Sequence, residues 1–349
     1  MAHNEKLSSQ PSNKLPHYNF TSEKSLEVSL KTHIAKFWVQ GDFITFNGVK
    51  NIRINAATFQ HNKTIKSENC LLIVPGRGES YLKYQELIFD IFNQGYDIFI
   101  LDHRGQGLSE RSLKNKHKGY VEKFQYYVDD LDYFMKTFVI PTCQNKPFML
   151  AHSMGGAIGA TYLQQNPTTI KAVVLASPMF AIPSHGLPFF IAKALLNTGQ
   201  FFEHLLSDTS WYFFGQHDFK KEKFEDNNLM HSQARYKLFT ELYVNNPALQ
   251  LGGVTFQWVH ESLSAIDEIF LNLNKLNMPI VVFKAELDST VDTEGQDDFC
   301  KQLHRLNPLS CPNSRPEYFK GAYHELFFET DEIRHQALST TLNWFNQNR

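Results

Sequence analysis

Three short stretches, far apart in the chain, carry the residue types of nucleophilic catalysis. The first is Leu150-Ala-His-Ser-Met-Gly-Gly156, where an apolar run meets a helix-forming one. A serine at such a junction sits on a tight, strained turn that lifts its Oγ clear of the sheet edge. Gly155 fills the second glycine of a G-x-S-x-G pattern, and Ala151, the smallest side chain available, stands at the first. A serine there by chance is the plain alternative; the apolar run before it and the small residues after it argue against that. A hydroxyl is a poor nucleophile until a base takes its proton, and for this kind of turn the chain order is Ser, acid, His. Asp288 lies in Ala285-Glu-Leu-Asp-Ser-Thr-Val-Asp292, just past an apolar strand, where ligand chemistry collects in open α/β sheets. Asp292 and Glu286 are rivals in the same acidic cluster. His324, in Phe319-Lys-Gly-Ala-Tyr-His-Glu-Leu326, follows the last strand. With fifteen histidines in the chain, order and loop position single it out. His152 adjoins Ser153 but should point away from it, and His103 precedes Ser153.

Ester cleavage also needs donors for a developing oxyanion. The backbone N–H of Met154, directly after the nucleophile, is one candidate. The other is the N–H of Arg77 in the glycine-rich loop Pro75-Gly-Arg-Gly-Glu-Ser80, for which an ordinary strand–helix turn is the bland alternative. Asp102-His-Arg-Gly-Gln-Gly-Leu-Ser109 reads as a structural brace of the same face. Its G-x-G comes without a Walker lysine or dinucleotide-fold spacing, so it is not a phosphate loop. No metal or organic cofactor is implied.

Positioning these loops requires strands that end on one rim. Short apolar runs are predicted as strands at 42–46, 52–59, 70–74, 96–101, 147–151, 172–176, 278–283 and 317–319, with helices near 80–94, 120–138, 154–165, 292–305 and 330–346. Asn47-Gly48 between the first two runs signals a hairpin. Alternation of this kind predicts an α/β fold, a mostly parallel central sheet with helices on both faces. It stops over residues 181–260, which are rich in Phe, Leu and Trp and read as a mostly helical cap inserted between 26–180 and 261–349. Residues 1–25 are polar and are expected to be mobile. In the cap, Leu187, Phe190, Ile191, Ala194 and Leu195 recur at helical spacing, and Phe201, Phe202, Leu205 and Leu206 extend them. They either pack the cap onto the core or line an acyl-chain site, with Phe190, Ile191 and Leu195 the substrate-binding candidates. Lys193, Lys220, Lys221 and Lys223 could meet anionic head groups, though solvated lysines are the default.

The 349 residues are 42% hydrophobic, enough for a sizeable core, and the net charge of −2 argues against nucleic acid as a partner. The N-terminus has no apolar signal core, and no run is long enough to span a bilayer. Membrane contact, if any, is expected to be peripheral. Cys70, Cys143, Cys300 and Cys311 lack CxxC spacing and read as reduced thiols, which favours the cytoplasm, with the inner face of the cell membrane as the surface within reach.

CLLIVPGRGESYLKYQEL, LDHRGQGLSERS, HKGYVEKFQYYVDDL, LAHSMGGAI and FKGAYHELFFETDEIR together resemble the bacterial lysophospholipase L2 group, relatives of the monoacylglycerol lipases in the α/β-hydrolase superfamily. The resemblance runs from about Phe37 to the C-terminus. It implies Ser153 as nucleophile and His324 as base. Ala151 in place of the superfamily glycine, and Pro75 in place of the histidine of the HGxG motif, are also similar to that group. It further implies hydrolysis of the fatty-acyl ester of a lysophospholipid through an acyl-enzyme. A monoacylglycerol lipase, a general carboxylesterase, or an acyltransferase using the same triad are the alternatives.

Overall fold

The computed structural model describes residues 18–183, Leu196, Thr198, Gly199 and 209–349. Eight strands form one sheet: β1 (Asp42–Asn47), β2 (Arg53–Phe59), β3 (Cys70–Val74), β4 (Asp97–Leu101), β5 (Phe148–His152), β6 (Val173–Ala176), β7 (Ile280–Ala285) and β8 (Glu317–Phe319). Their spatial order is β1-β2-β4-β3-β5-β6-β7-β8. Strand β2 runs antiparallel to β1 and to β4, and every other neighbouring pair is parallel. This is the α/β-hydrolase arrangement expected from the alternation.

The central strands are continuous apolar runs because both faces are covered. Along β3 and β5 the side chains alternate between two cores. Leu72, Val74, Met149 and Ala151 face one apolar layer. Leu71, Ile73, Phe148 and Leu150 face the other. The helices are α1 (Glu23–Lys31), α2 (His33–Trp38), α3 (Gln85–Phe92), α4 (Gln125–Phe134), α5 (Met154–Gln165), α6 (Gln233–Asn245), α7 (Phe256–Leu271), α8 (Glu294–Leu306) and α9 (Asp331–Gln347). Leu131, Ile158, Ile269 and Leu303, from α4, α5, α7 and α8, fill the first layer. Leu87, Ile88, Leu338 and Leu342, from α3 and α9, fill the second.

Three features depart from expectation. Residues 18–25 are not loose: the Thr21 N–H donates to Asp90 at 3.0 Å, its hydroxyl to Glu86 at 2.6 Å, and the Glu23 N–H to Asp331 at 3.0 Å. The acceptors are 65 or more residues away, so polarity alone misled. The cysteines are paired rather than reduced, as Cys70–Cys143 and Cys300–Cys311. The Gln144 N–H donates to the Ser67 carbonyl at 2.7 Å, drawing the entrances of β3 and β5 together; a separation of 73 residues gives no local sign of this. With the cysteines paired, the inference from free thiols to a cytoplasmic setting no longer holds. Thirdly, α7 crosses residue 260, the expected end of the insertion, and packs on α5. Among the described residues, no helix is long and apolar enough to cross a membrane.

Candidate active site

Ser153 occupies the turn between β5 and α5 with φ 52° and ψ −121°, a backbone conformation costly for any residue with a side chain. Surrounding contacts hold it there. The Ser153 N–H donates to the Ala176 carbonyl at 3.0 Å, and the Ser153 carbonyl accepts from Gly156 at 2.9 Å and Met179 at 3.0 Å. The small neighbours are steric requirements. A Cβ on Gly155 would collide with the carbonyls of Val74 and Pro75, and one on Gly156 with the Pro178 ring. At the first-glycine position the Ala151 methyl has room beside Gly159: a Cβ built on Gly159 would lie at an ordinary 3.5 Å from that methyl, though only 3.0 Å from Met149 Sδ.

His324 lies in the loop after β8, and its Nδ1 is 2.7 Å from the Asp288 carboxylate. The Asp288 side chain is fully buried. It accepts backbone N–H groups of Thr290 at 2.9 Å and Val291 at 3.2 Å, so the carboxylate is oriented before it meets the imidazole. Burial pushes its pKa up, but His324 and these donors outweigh that and hold it below the ordinary carboxylate range. Its rivals face elsewhere. Exposed Glu286 accepts from the Gly321 N–H at 2.6 Å, and Asp292 accepts from Glu294 at 3.0 Å at the start of α8. Ser153, His324, Met154 and Arg77 all line one cavity of about 320 Å³.

The loop after β3 borders that cavity through Arg77 and Gly78. The Gly76 N–H is taken by Glu79 and the Gly78 N–H by Gln106 Oε1 at 3.0 Å. Among the described residues no acceptor engages the N–H of Arg77 or of Met154. The 102–109 loop braces this one as expected. Gln106 donates to the carbonyls of Gly76 at 2.7 Å and Glu79 at 3.0 Å, and Asp102 accepts from the Ser80 hydroxyl at 2.8 Å and the Tyr81 N–H at 2.6 Å. His103 is buried and its Nε2 lies 3.1 Å from the Pro75 carbonyl, away from Ser153.

Part of the cavity wall is a buried charge cluster that the sequence did not reveal. Lys83 Nζ donates to Glu79 at 2.5 Å and to Glu325 at 2.6 Å. Glu79 also accepts from the Tyr84 hydroxyl at 2.5 Å and faces His152 Nδ1 at 3.3 Å. His152 precedes the serine, Glu325 follows the histidine, and Glu79 caps the 75–78 loop, so the cluster ties three loops together. Burial raises the Glu79 pKa, but Lys83 and His152 outweigh it and drive it well below the ordinary range. Burial likewise lowers Lys83 and His152, and their carboxylate neighbours raise both above ordinary values. Glu79, His152 and Glu325 are close enough to hold a metal ion, but the Lys83 ammonium already lies between the two carboxylates. The only sequence hint was the i, i+4 spacing of Glu79 and Lys83. Phe190, Ile191 and Leu195 lie outside the described residues, as do Leu187, Lys193 and 201–206. Lys220, Lys221 and Lys223 are exposed.

Comparison with known proteins adds a lineage to this geometry. The family model described as Serine aminopeptidase, S33 matches residues 65–331. Lysophospholipase L2 of Escherichia coli is 36% identical over 329 residues, covering 94% of each chain. Monoglyceride lipase of Rattus norvegicus is 25% identical, covering 78% of this chain and 81% of its own. Among solved structures, a soluble variant of monoglyceride lipase from Saccharomyces cerevisiae aligns with TM-score 0.63 at 18% identity, covering 88% of this chain and 97% of its own. A carboxyl esterase from Bacillus coagulans aligns with TM-score 0.66 at 15% identity, with 88% and 98% covered. These two share the fold.

Proposed function

Since the chain belongs to the S33 family of α/β-hydrolases, as an ester hydrolase related to the lysophospholipases L2, we propose that it hydrolyses the fatty-acyl ester of lysophospholipids through an acyl-enzyme on Ser153. The observation that carries this is the buried Asp288 carboxylate 2.7 Å from His324 Nδ1, in a loop that shares a cavity with Ser153. With its Nδ1–H donated to Asp288, the imidazole keeps Nε2 free to take the Ser153 proton. Oγ then attacks the acyl carbonyl. The unengaged N–H groups of Arg77 and Met154 receive the oxyanion. His324 passes its proton to the departing glycerophospho-alcohol, and water, activated by the same imidazole, releases the fatty acid. In this reading the segment between β6 and β7 acts as a cap. It lays Met179, Ile182, Leu229, Phe239 and Trp258 along the cavity, surface on which each buried CH₂ of an acyl chain contributes about 0.8 kcal/mol. The phospholipid substrate itself rests on the kinship with lysophospholipase L2, and contact with the membrane is peripheral.

Assays of lysophosphatidylethanolamine, lysophosphatidylcholine and monooleoylglycerol, on wild type and Ser153→Ala, test the proposal. Lysophospholipid hydrolysis that vanishes in Ser153→Ala, together with loss of fluorophosphonate labelling, is the expected outcome. Clear preference for monooleoylglycerol would move the protein to the monoacylglycerol lipases, a reading the rat relative favours. Newly acylated lipid among the products would mark acyl transfer.

A further inference from the structure

The Arg77 side chain stands at the wall of the reaction cavity, and no carboxylate among the described residues pairs with it. The three most buried guanidiniums meet carboxylates: Arg104 with Asp130 at 2.7 Å, Arg235 with Glu86 at 2.8 Å and Arg334 with Asp90 at 2.7 Å. Arg111 donates instead to four backbone carbonyls. Arg77 has only one partner among the described residues, the Gly252 carbonyl, reached by Nη2. Its Nε is shielded from solvent and has no acceptor. Burial lowers its pKa to about 10, opposed by no carboxylate but only by the phenols of Tyr127 and Tyr212, so it remains cationic at neutral pH.

The position is nonetheless built. The guanidinium carbon lies 5.5 Å from the Trp258 ring centroid. Gly119 packs so closely on the guanidinium that a Cβ there would fall within 2.6 Å of Nη2. These contacts hold the group against the cavity wall. It borders both the cavity of Ser153 and His324 and a neighbouring, more polar groove of about 380 Å³ that contains His217 and Lys220. Arg77 is half-buried with its Nε closed off from water, and a cation so placed with no carboxylate beside it is stabilised by an anion.

We infer that the Arg77 guanidinium binds the phosphodiester of the lysophospholipid while the backbone N–H of the same residue faces the ester oxyanion. The inference rests on the proposed function and supplies what that reading lacks, a reason for the site to take a charged glycerolipid over a neutral one. A lysophospholipid's phosphate lies a glycerol's length from its ester carbonyl, a gap that an arginine side chain can bridge from the same backbone position. A charge-assisted hydrogen bond from a guanidinium is a strong form of phosphate recognition.

The test compares kcat/KM for lysophosphatidylethanolamine and monooleoylglycerol in wild type, Arg77→Met and Arg77→Lys, with fluorophosphonate labelling of Ser153 as the check on folding. Arg77→Met should lower the ratio of phospholipid to neutral lipid by about tenfold or more, and Arg77→Lys should restore part of it. An unchanged ratio, or an equal fall on both substrates, overturns the inference. On wild type, glycerol 3-phosphate should compete with p-nitrophenyl butyrate far better than glycerol does, and equal inhibition by the two also overturns it. Should wild type hydrolyse no lysophospholipid at all, the proposed function falls instead, an outcome read before any variant is made.

Discussion

Asp288 and its two acidic neighbours differ in what their oxygens touch. Asp288 is fixed by two N–H groups and turned toward His324, while Glu286 and Asp292 are engaged in local turns. An amide at 288 keeps the shape but offers a donor where an acceptor is required, so His324 is held in the wrong tautomer. Asp288→Asn is therefore expected to lower kcat by about 10⁴-fold with little change in KM. Glu286→Gln and Asp292→Asn should leave kcat close to wild type. Steady-state kinetics on the three variants decide it, and a loss confined to Asp292→Asn would reassign the acid. At this scale Ser153 and His324 were legible because each has a fixed place in chain order. Asp288 was put first by its place just past the strand, but Glu286 and Asp292 stayed rivals, because three carboxylates within seven residues look alike until the backbone turns them.

At the scale of elements, the charge cluster makes β5, the loop after β3 and the loop after β8 a single unit. Lys83 is buried with two carboxylates on it, so Lys83→Met leaves both without their cation and should cost about 3–5 kcal/mol of stability, read as a lower denaturation midpoint. His152 sets a pH dependence. Burial pushes its imidazole down, but Glu79 and Glu325 hold its pKa above the ordinary 6.5. The folded protein thus binds this proton more tightly than the unfolded chain does. The contribution is fully present below about 6.5 and is lost as pH rises through the folded value. Denaturation midpoints from about pH 6 to about pH 9 should show the gap between wild type and His152→Gln narrowing upward; a widening gap would mean that the imidazole is neutral in the fold. None of this was readable beforehand, since Glu79 and Lys83 look like a surface i, i+4 pair, and the groups that meet them, among them His152 and Glu325, come from far along the chain.

For the whole molecule, two covalent links bear on stability. Cys70–Cys143 closes 73 residues and Cys300–Cys311 closes 11. Chain entropy assigns about 4 kcal/mol to the first and about 3 kcal/mol to the second. Peptide mapping without reductant should find both bridges, and Cys70→Ala/Cys143→Ala should lower Tm more than Cys300→Ala/Cys311→Ala does. Free thiols in the mapping would restore the reduced state read from their spacing. The N-terminal stretch belongs to the same scale: Thr21 and Glu23 are ordered by Asp90, Glu86 and Asp331, acceptors that α3 and α9 deliver from far along the chain.

The order of apolar runs, a serine between an apolar strand and two glycines, and a histidine after the last strand were enough to determine the sheet and to single out the candidate nucleophile and base, because period, turn sterics and chain order are local properties. Which carboxylate faces the imidazole, which cysteines pair, where four buried charges cancel and whether Arg77 meets a carboxylate depend on groups brought together across tens or hundreds of residues. Burial sets the energy of each of those contacts, and burial exists only once the sheet and its helices have closed.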